Sequence, residues 1–224
     1  MTKKVIVFAP HPDDETWGCG GTIAKRISEG YEVLIVVMTD GRYAFQKMLG
    51  IDSDPTPEEL KEIRKDEVKR AVKILGVPGK NIVFLGFIDG KLENHEKKAV
   101  EKVVEILNDP AEVYLPYKKD AHPDHRATYR IVKNAIGKLG INVSIYQYSI
   151  GQKYAHMGPI IDSLLNLFKH NIIRVDISNF LSLKKGAVKE FRSEVSIISS
   201  KQRKPLEENV NKLLKREEVF YVDN

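Results

Sequence analysis

At 224 residues, 42% hydrophobic and 30% charged, the sequence has the size and balance of a soluble globular domain, which excludes a disordered chain. The single cysteine, Cys19, rules out an internal disulfide, and the longest apolar stretch, residues 33–38, is far too short to span a bilayer. The apolar run behind Lys3 and Lys4 is too short for a signal-peptide core, so a cytoplasmic location is expected.

Residues 5–9 are wholly apolar and rich in β-branched side chains, the mark of a buried strand. A helix over 20–30 follows, stopped by Gly30, and then residues 32–39 (EVLIVVMT), the strongest strand signal in the chain. Two apolar runs without alternation point to strands covered on both faces, as in a parallel sheet. Residues 40–54 read as irregular, a candidate lid. Thr56-Pro57-Glu58-Glu59 is a capping box with proline at the first helical position. The helix it starts has Leu60, Ile63, Val68, Ala71, Val72 and Leu75 on one side and stops at Gly76. Next come a strand at 81–85, a helix at 97–107, a strand at 112–116, a helix at 125–138 and a strand at 143–148. After Ser149 the pattern weakens to an edge strand at 172–177, helices at 181–198 and 205–216, and a last strand at 218–222. This alternation predicts the α/β class: a Rossmann-like, three-layer, doubly wound, mostly parallel sheet with helices on both faces. The chain, 1–224, is expected to be one domain with its core at 3–150 and a less regular part at 151–224.

The net charge of +5 is concentrated in residues 183–216, where ten Lys/Arg face four Asp/Glu. No aromatic side chains interleave with those charges as a nucleic-acid stacking platform needs, so a solvated helical surface is expected and no nucleic-acid partner.

Ligands of open α/β sheets bind beyond the carboxyl ends of the strands. The first strand runs into His11-Pro12-Asp13-Asp14-Glu15, and the strand at 112–116 into Asp120-Ala121-His122-Pro123-Asp124-His125. Two clusters of His and Asp therefore meet at one edge of the sheet on separate loops. A catalytic zinc site takes three protein ligands and leaves a position for water, and mixed imidazole and carboxylate donors suit zinc, with iron and other divalent metals also fitting. Alone, either cluster reads equally well as a helix cap with surface histidines; the joint placement favours a metal site. Asp40 and Asp89 end strands at the same edge.

Ala9-Pro10-His11-Pro12-Asp13-Asp14-Glu15 with Gly18-Cys19-Gly20-Gly21-Thr22, and the downstream Asp120-Ala121-His122-Pro123-Asp124-His125, resemble the paired motifs of the LmbE-like (PIG-L) N-acetylglucosamine deacetylases. Arg64-Lys65-Asp66-Glu67 is similar to that family's R-x-x-E helix, and Leu85-Gly86-Phe87-Ile88-Asp89-Gly90 to its strand-end aspartate. The resemblance covers residues 3–150. It implies one Zn2+ per chain on His11, Asp14 and His125, and removal of an N-acetyl group from a small amino sugar by a zinc-bound water. Asp13 would be the general base, His122 as imidazolium would stabilise the oxyanion with Asp124 orienting or charging it, and Arg64 and Asp89 would contact the sugar. A Lys…Ala…Ser-Gln segment of the family has its counterpart in Lys184 or Lys185, Ala187 and Arg192-Ser193-Glu194, with Glu194 in place of glutamine. Trp17 and Cys19 read as packing residues, and His95, His156 and His170 as surface or loop residues, His156 also as a pocket-rim candidate.

Two other readings compete. One is a metal-dependent amidase acting on another N-acyl amine or a thiol conjugate. The other is a nucleotide-binding module built on Gly18-Cys19-Gly20-Gly21, although Ile23 breaks the Gly-x-Gly-x-x-Gly pattern. Nothing in the sequence sets the oligomeric state, and a homo-oligomer stays open.

Overall fold

The two uninterrupted apolar runs become neighbouring strands, β1 (Lys4–Ala9) and β2 (Glu32–Thr39), in parallel register from Lys4↔Glu32 to Ala9↔Val37. They are joined by β3 (Ile82–Phe87), β4 (Glu112–Pro116), β5 (Ser144–Tyr148), β6 (Ile172–Asp176) and β7 (Glu217–Asp223). In the computed structural model, which describes residues 3–150, 172–208 and 210–223, these form a seven-stranded sheet ordered β3-β2-β1-β4-β5-β7-β6. β1 to β5 are parallel, whereas β7 runs antiparallel to both β5 and β6. The mostly parallel, doubly wound sheet expected from the sequence is the observed architecture.

Strands covered on both faces must be apolar on both, and β1 shows why its five-residue run has no alternation. Val5, Val7 and Ala9 pack into one core cluster with α1 (Asp14–Ser28), α3 (Pro57–Ile74) and α6 (Leu181–Glu190). Ile6 and Phe8 pack into the other with α4 (Glu96–Ile106) and α5 (Pro123–Leu139). β1 therefore feeds a helix on one face and its neighbour β4 feeds a helix on the opposite face. The strand order reverses between them, and a crevice opens beyond their carboxyl ends, where both His/Asp clusters lie.

Most elements fall within a residue or two of the expected bounds, but four stretches differ. α1 begins at Asp14 rather than at residue 20, so the glycine-rich stretch lies inside the helix and not ahead of it. A Cβ on Gly18 would stand 2.5 Å from the Tyr148 ring, and one on Gly21 would stand 2.4 Å from Ile177. These glycines let α1 approach its neighbours closely, which removes the basis for a phosphate-binding loop. The helix expected over 181–198 ends at Glu190; the chain turns at the fully buried Phe191 into a short α7 (Arg192–Val195). The turn lets the Ser193 N–H and hydroxyl donate to the Glu67 carboxylate on α3, at 2.8 and 2.6 Å. Of the helix expected over 205–216, the described residues contain α8 (Val210–Leu213) alone. The irregular stretch 40–54 contains a helix of its own, α2 (Ala44–Leu49).

The C-terminal part is fastened to α1 by a buried ion pair. Lys184 Nζ lies 2.6 Å from Glu218 Oε1 and donates to the Trp17 carbonyl at 2.7 Å. The Glu218 carboxylate accepts from Gly21 N–H at 2.9 Å and Thr22 N–H at 2.7 Å. One lysine of the basic segment is thus structural rather than solvated. No helix among the described residues is long and apolar enough to cross a membrane.

Candidate active site

The turn after β1 is pinned from β2: the Thr39 N–H and hydroxyl both donate to the Pro10 carbonyl, at 2.9 and 2.8 Å. His11 follows, and then Asp13 at φ 125°, a conformation that L-residues rarely adopt and that costs about 1–3 kcal/mol. Its carbonyl accepts from Thr16 and Trp17 N–H to start α1, and its own N–H donates to the fully buried Glu15 carboxylate at 3.2 Å. On the other loop, His122 is the N-cap of α5, its Nδ1 accepting from Asp124 N–H at 3.2 Å with Pro123 in the first turn.

The two loops bring His11, Asp14, His122, Asp124 and His125 together. Asp14 Oδ2 stands between two imidazoles, 3.1 Å from His11 Nδ1 and 3.3 Å from His125 Nε2. Each imidazole turns its other nitrogen to a second carboxylate: His11 Nε2 is 3.2 Å from Asp124 Oδ2, and His125 Nδ1 is 3.3 Å from Asp120 Oδ2. Ligating histidines are oriented in this way, one nitrogen toward the metal and one toward an acceptor. A tetrahedral zinc with bonds near 2.0–2.1 Å has edges of about 3.3 Å between donors, which the two Asp14 contacts match. Two edges of a His11, Asp14 and His125 set therefore have the length that a zinc-sized cation needs. Among the described residues, the donor atoms that converge within 4.8 Å of one another are those of His11, His122 and His125, and those of His11, Asp89 and Asp124. In the first of those groups His122 would have to ligate through Nε2, because its Nδ1 accepts from the Asp124 amide.

Without a cation, protons hold the cluster together. Burial disfavours charge on His11, but hydrogen bonds to Asp124 and Asp14 outweigh it and hold its pKa up at about 9. His125 is likewise buried, yet the Asp14 charge and the Asp120 contact hold it at about 10. Burial would raise Asp14, but the charge on His125 and the hydrogen bond from His11 keep it far below the usual range. A cation held by both rings would displace a proton from each. Asp124, accepting also from Gly90 N–H at 2.6 Å and Leu92 N–H at 3.1 Å, is depressed to about 2 against its burial.

His122, an imidazolium in the role the resemblance implies, has its ring centre 4.6 Å from that of His11 and 5.3 Å from that of His125. With His11 and His125 charged, burial and then those two charges push its pKa down to about 4. With Nδ1 accepting, the ring proton sits on Nε2, which is a donor. The Asp124 carboxylate meets His11 rather than the His122 ring.

Arg64 is buried, 3% exposed, behind Asp13. Its Nη2 donates to Asp13 Oδ2 at 3.1 Å and to the Pro12 carbonyl at 2.7 Å, and its Nη1 pairs with Glu194 at 2.7 Å. Burial raises the pKa of Asp13, Arg64 opposes that rise, and Glu194 adds to it. Asp89 is also buried; its Oδ2 accepts from Tyr43 N–H at 3.0 Å, and its Oδ1 is 2.7 Å from Lys47 Nζ and 3.6 Å from His11 Nε2. Asp120, Glu15, Glu194 and Lys47 are the neighbours whose roles the sequence did not reveal. Asp120 and Glu15 carried a signal in their places inside the two clusters, and Glu194 in its place in the C-terminal segment; Lys47 carried none. Cys19 is fully buried in the core and His95 stacks on Phe87 at 5.9 Å between ring centres, while His156 and His170 lie outside the described residues.

The family model for PIG-L, GlcNAc-PI de-N-acetylase, matches residues 6–136. A probable N-acetyl-α-D-glucosaminyl L-malate deacetylase 2 of Bacillus anthracis is 32% identical over 163 residues, 70% of each chain. Diacetylchitobiose deacetylase of Thermococcus kodakarensis is 31% identical over 204 residues, 86% of this chain and 70% of that protein. Among solved structures, N,N'-diacetylchitobiose deacetylase of Pyrococcus horikoshii superposes with a TM-score of 0.70 at 25% identity, covering 99% of this chain and 84% of that one.

Proposed function

The chain belongs to the PIG-L, GlcNAc-PI de-N-acetylase family, and from that premise we propose that it is a zinc-dependent deacetylase that hydrolyses the acetamide of an N-acetylglucosamine-type sugar. The observation that carries the metal dependence is the pair of imidazoles, each with one nitrogen at Asp14 and the other at a carboxylate of its own. When bound, the cation supplies Lewis acidity, polarising the acetamide carbonyl and making water a stronger acid.

The chain's own residues do the rest. Asp13 takes the proton of the attacking water and returns it to the departing amine. Its strained backbone, the Glu15 carboxylate on its N–H and the Arg64 guanidinium on Oδ2 fix the carboxylate in one orientation. His122 donates from Nε2 to the developing oxyanion, a contact that strengthens as charge builds. Asp124 keeps His11 in the tautomer that leaves Nδ1 free to ligate. Arg64 serves the base, since its buried guanidinium is shared between Asp13 and Glu194. Asp89, at the same strand-end edge, faces the sugar. The chain works as a single domain on a small amino-sugar substrate, with no nucleic-acid partner.

Metal analysis of the purified protein, with acetate release from N-acetylglucosamine compounds and from N-acetylated amino acids, tests this reading. About one zinc per chain and acetate from the sugars alone are expected. Absence of zinc would overturn the metal dependence, and acetate from amino acids alone would favour an amidase with another substrate.

A further inference from the structure

Asp89 does not face the sugar alone. Both of its oxygens already carry donors, Tyr43 N–H on Oδ2 and Lys47 Nζ on Oδ1. The same Oδ1 lies 3.6 Å from the ring of the ligand candidate His11, so the Lys47 ammonium stands one carboxylate away from the metal site. Lys47 is half-exposed, its side chain 42% accessible, whereas Asp89 beneath it is 5% accessible. The backbone leaves room for this ammonium: a Cβ on Gly90, which has φ 77°, would come within 2.3 Å of Lys47 Nζ.

We infer that Lys47, on the helix of the loop after β2, is a substrate-binding residue that works with Asp89 as one clamp on a ring hydroxyl of the amino sugar. The inference rests on the proposed deacetylase reading. If the acetamide carbon sits against His11, Asp14 and His125, the hydroxyls flanking it on the same ring lie within reach of the Asp89–Lys47 pair. A sugar hydroxyl has one proton to give and lone pairs to accept with, an ammonium has three donors, and a carboxylate oxygen has two acceptor sites. Asp89 uses one site per oxygen on Tyr43 and Lys47, and Lys47 spends one donor on Asp89. One hydroxyl can therefore donate to Asp89 and accept from Lys47 at once, without breaking the contacts that hold the pair. The salt bridge also keeps the clamp neutral, which suits an uncharged ring better than an unpaired carboxylate would.

The test is calorimetric binding of glucosamine and its 3-, 4- and 6-deoxy analogues to the zinc-loaded protein, with Lys47→Met and Lys47→Arg beside the parent. Acetate release from N-acetylglucosamine by the parent is measured separately. Losing a charged hydrogen bond should weaken glucosamine binding roughly 10- to 100-fold in Lys47→Met, while Lys47→Arg stays within a few-fold. For one deoxy analogue, the parent and Lys47→Met should bind equally, because the clamped hydroxyl is gone. Glucosamine affinity unchanged in Lys47→Met, or the same loss on every analogue, overturns the inference even if acetate is released. Lys47-dependent binding without acetate release supports it and instead overturns the deacetylase reading.

Discussion

Lys184→Met removes a buried charge and keeps the length of the side chain. Lys184 and Glu218 side chains are 4% and 5% exposed, so the variant leaves the Glu218 carboxylate in the interior with only Gly21 and Thr22 N–H as donors. The Trp17 carbonyl loses its ammonium donor as well. Breaking a buried pair from one side costs about 3–5 kcal/mol, and the two remaining amide donors argue for the lower end. At about 2–4 °C per kcal/mol for a chain of this size, a cost near 3 kcal/mol is a fall in Tm of roughly 6–12 °C. Glu218→Leu added to Lys184→Met should recover much of that loss. With both charges gone, Gly21 and Thr22 N–H can use the helical carbonyls four residues back. Thermal and urea melts of the parent, the single variant and the double variant provide the measurement. A loss below about 1 kcal/mol in Lys184→Met, or no recovery in the double variant, would refute the argument that a desolvated charge is what makes this contact costly to break.

Three further outcomes follow from the site and its surroundings. His11→Ala, Asp14→Ala and His125→Ala should each lower zinc content together with turnover, and full zinc occupancy in any of them would remove that residue from the ligand set. Asp13→Asn should retain zinc and lose roughly 10² to 10⁴ in kcat, the range of a positioned proton-transfer group; loss of zinc in this variant would make Asp13 a ligand instead. Asp223 is held below the usual aspartate range: burial opposes this, and Lys133 at 3.0 Å, the Tyr129 hydroxyl at 2.8 Å and Lys118 outweigh it. A depressed folded pKa gives stability that is whole above the unfolded value, about 3.9, and lost as pH falls through the lower folded value. The Tm difference between the parent and Asp223→Asn should therefore close below about pH 4; a constant gap would show that the carboxylate charge contributes nothing.

Much of the frame was legible because its signals are local. Residues 5–9 and 32–39 are apolar on both faces, and only burial on both faces explains that. The capping box is realised at Thr56, whose N–H donates to Glu59 Oε2 at 2.8 Å while its hydroxyl accepts from Glu59 N–H at 3.4 Å. The crevice between β1 and β4 follows from strand order, which placed both His/Asp clusters at one edge before any coordinate. Less legible were the contacts made by residues far apart in the chain. Arg64 reads as a sugar contact beside an apolar helix face, but Glu194, more than a hundred residues away, pairs with it under Asp13. Asp124 reads as the partner of nearby His122, yet its carboxylate crosses to His11 on the other loop. The start of α1 was hidden because Asp13 adopts φ 125°, a choice imposed by tertiary partners and not by propensity. The break at Phe191 has the same origin, since Glu67 captures Ser193. Periodicity reports which face of an element is buried, not which polar groups meet across the core.

The most direct test of the central claim is acetate release from N-acetylglucosamine or diacetylchitobiose by one preparation before chelation, after metal removal and after zinc is restored. The account predicts acetate release that disappears with the metal and returns with about one equivalent of zinc per chain. Release that continues undiminished in metal-free protein, or no release from either sugar with zinc bound, would contradict it.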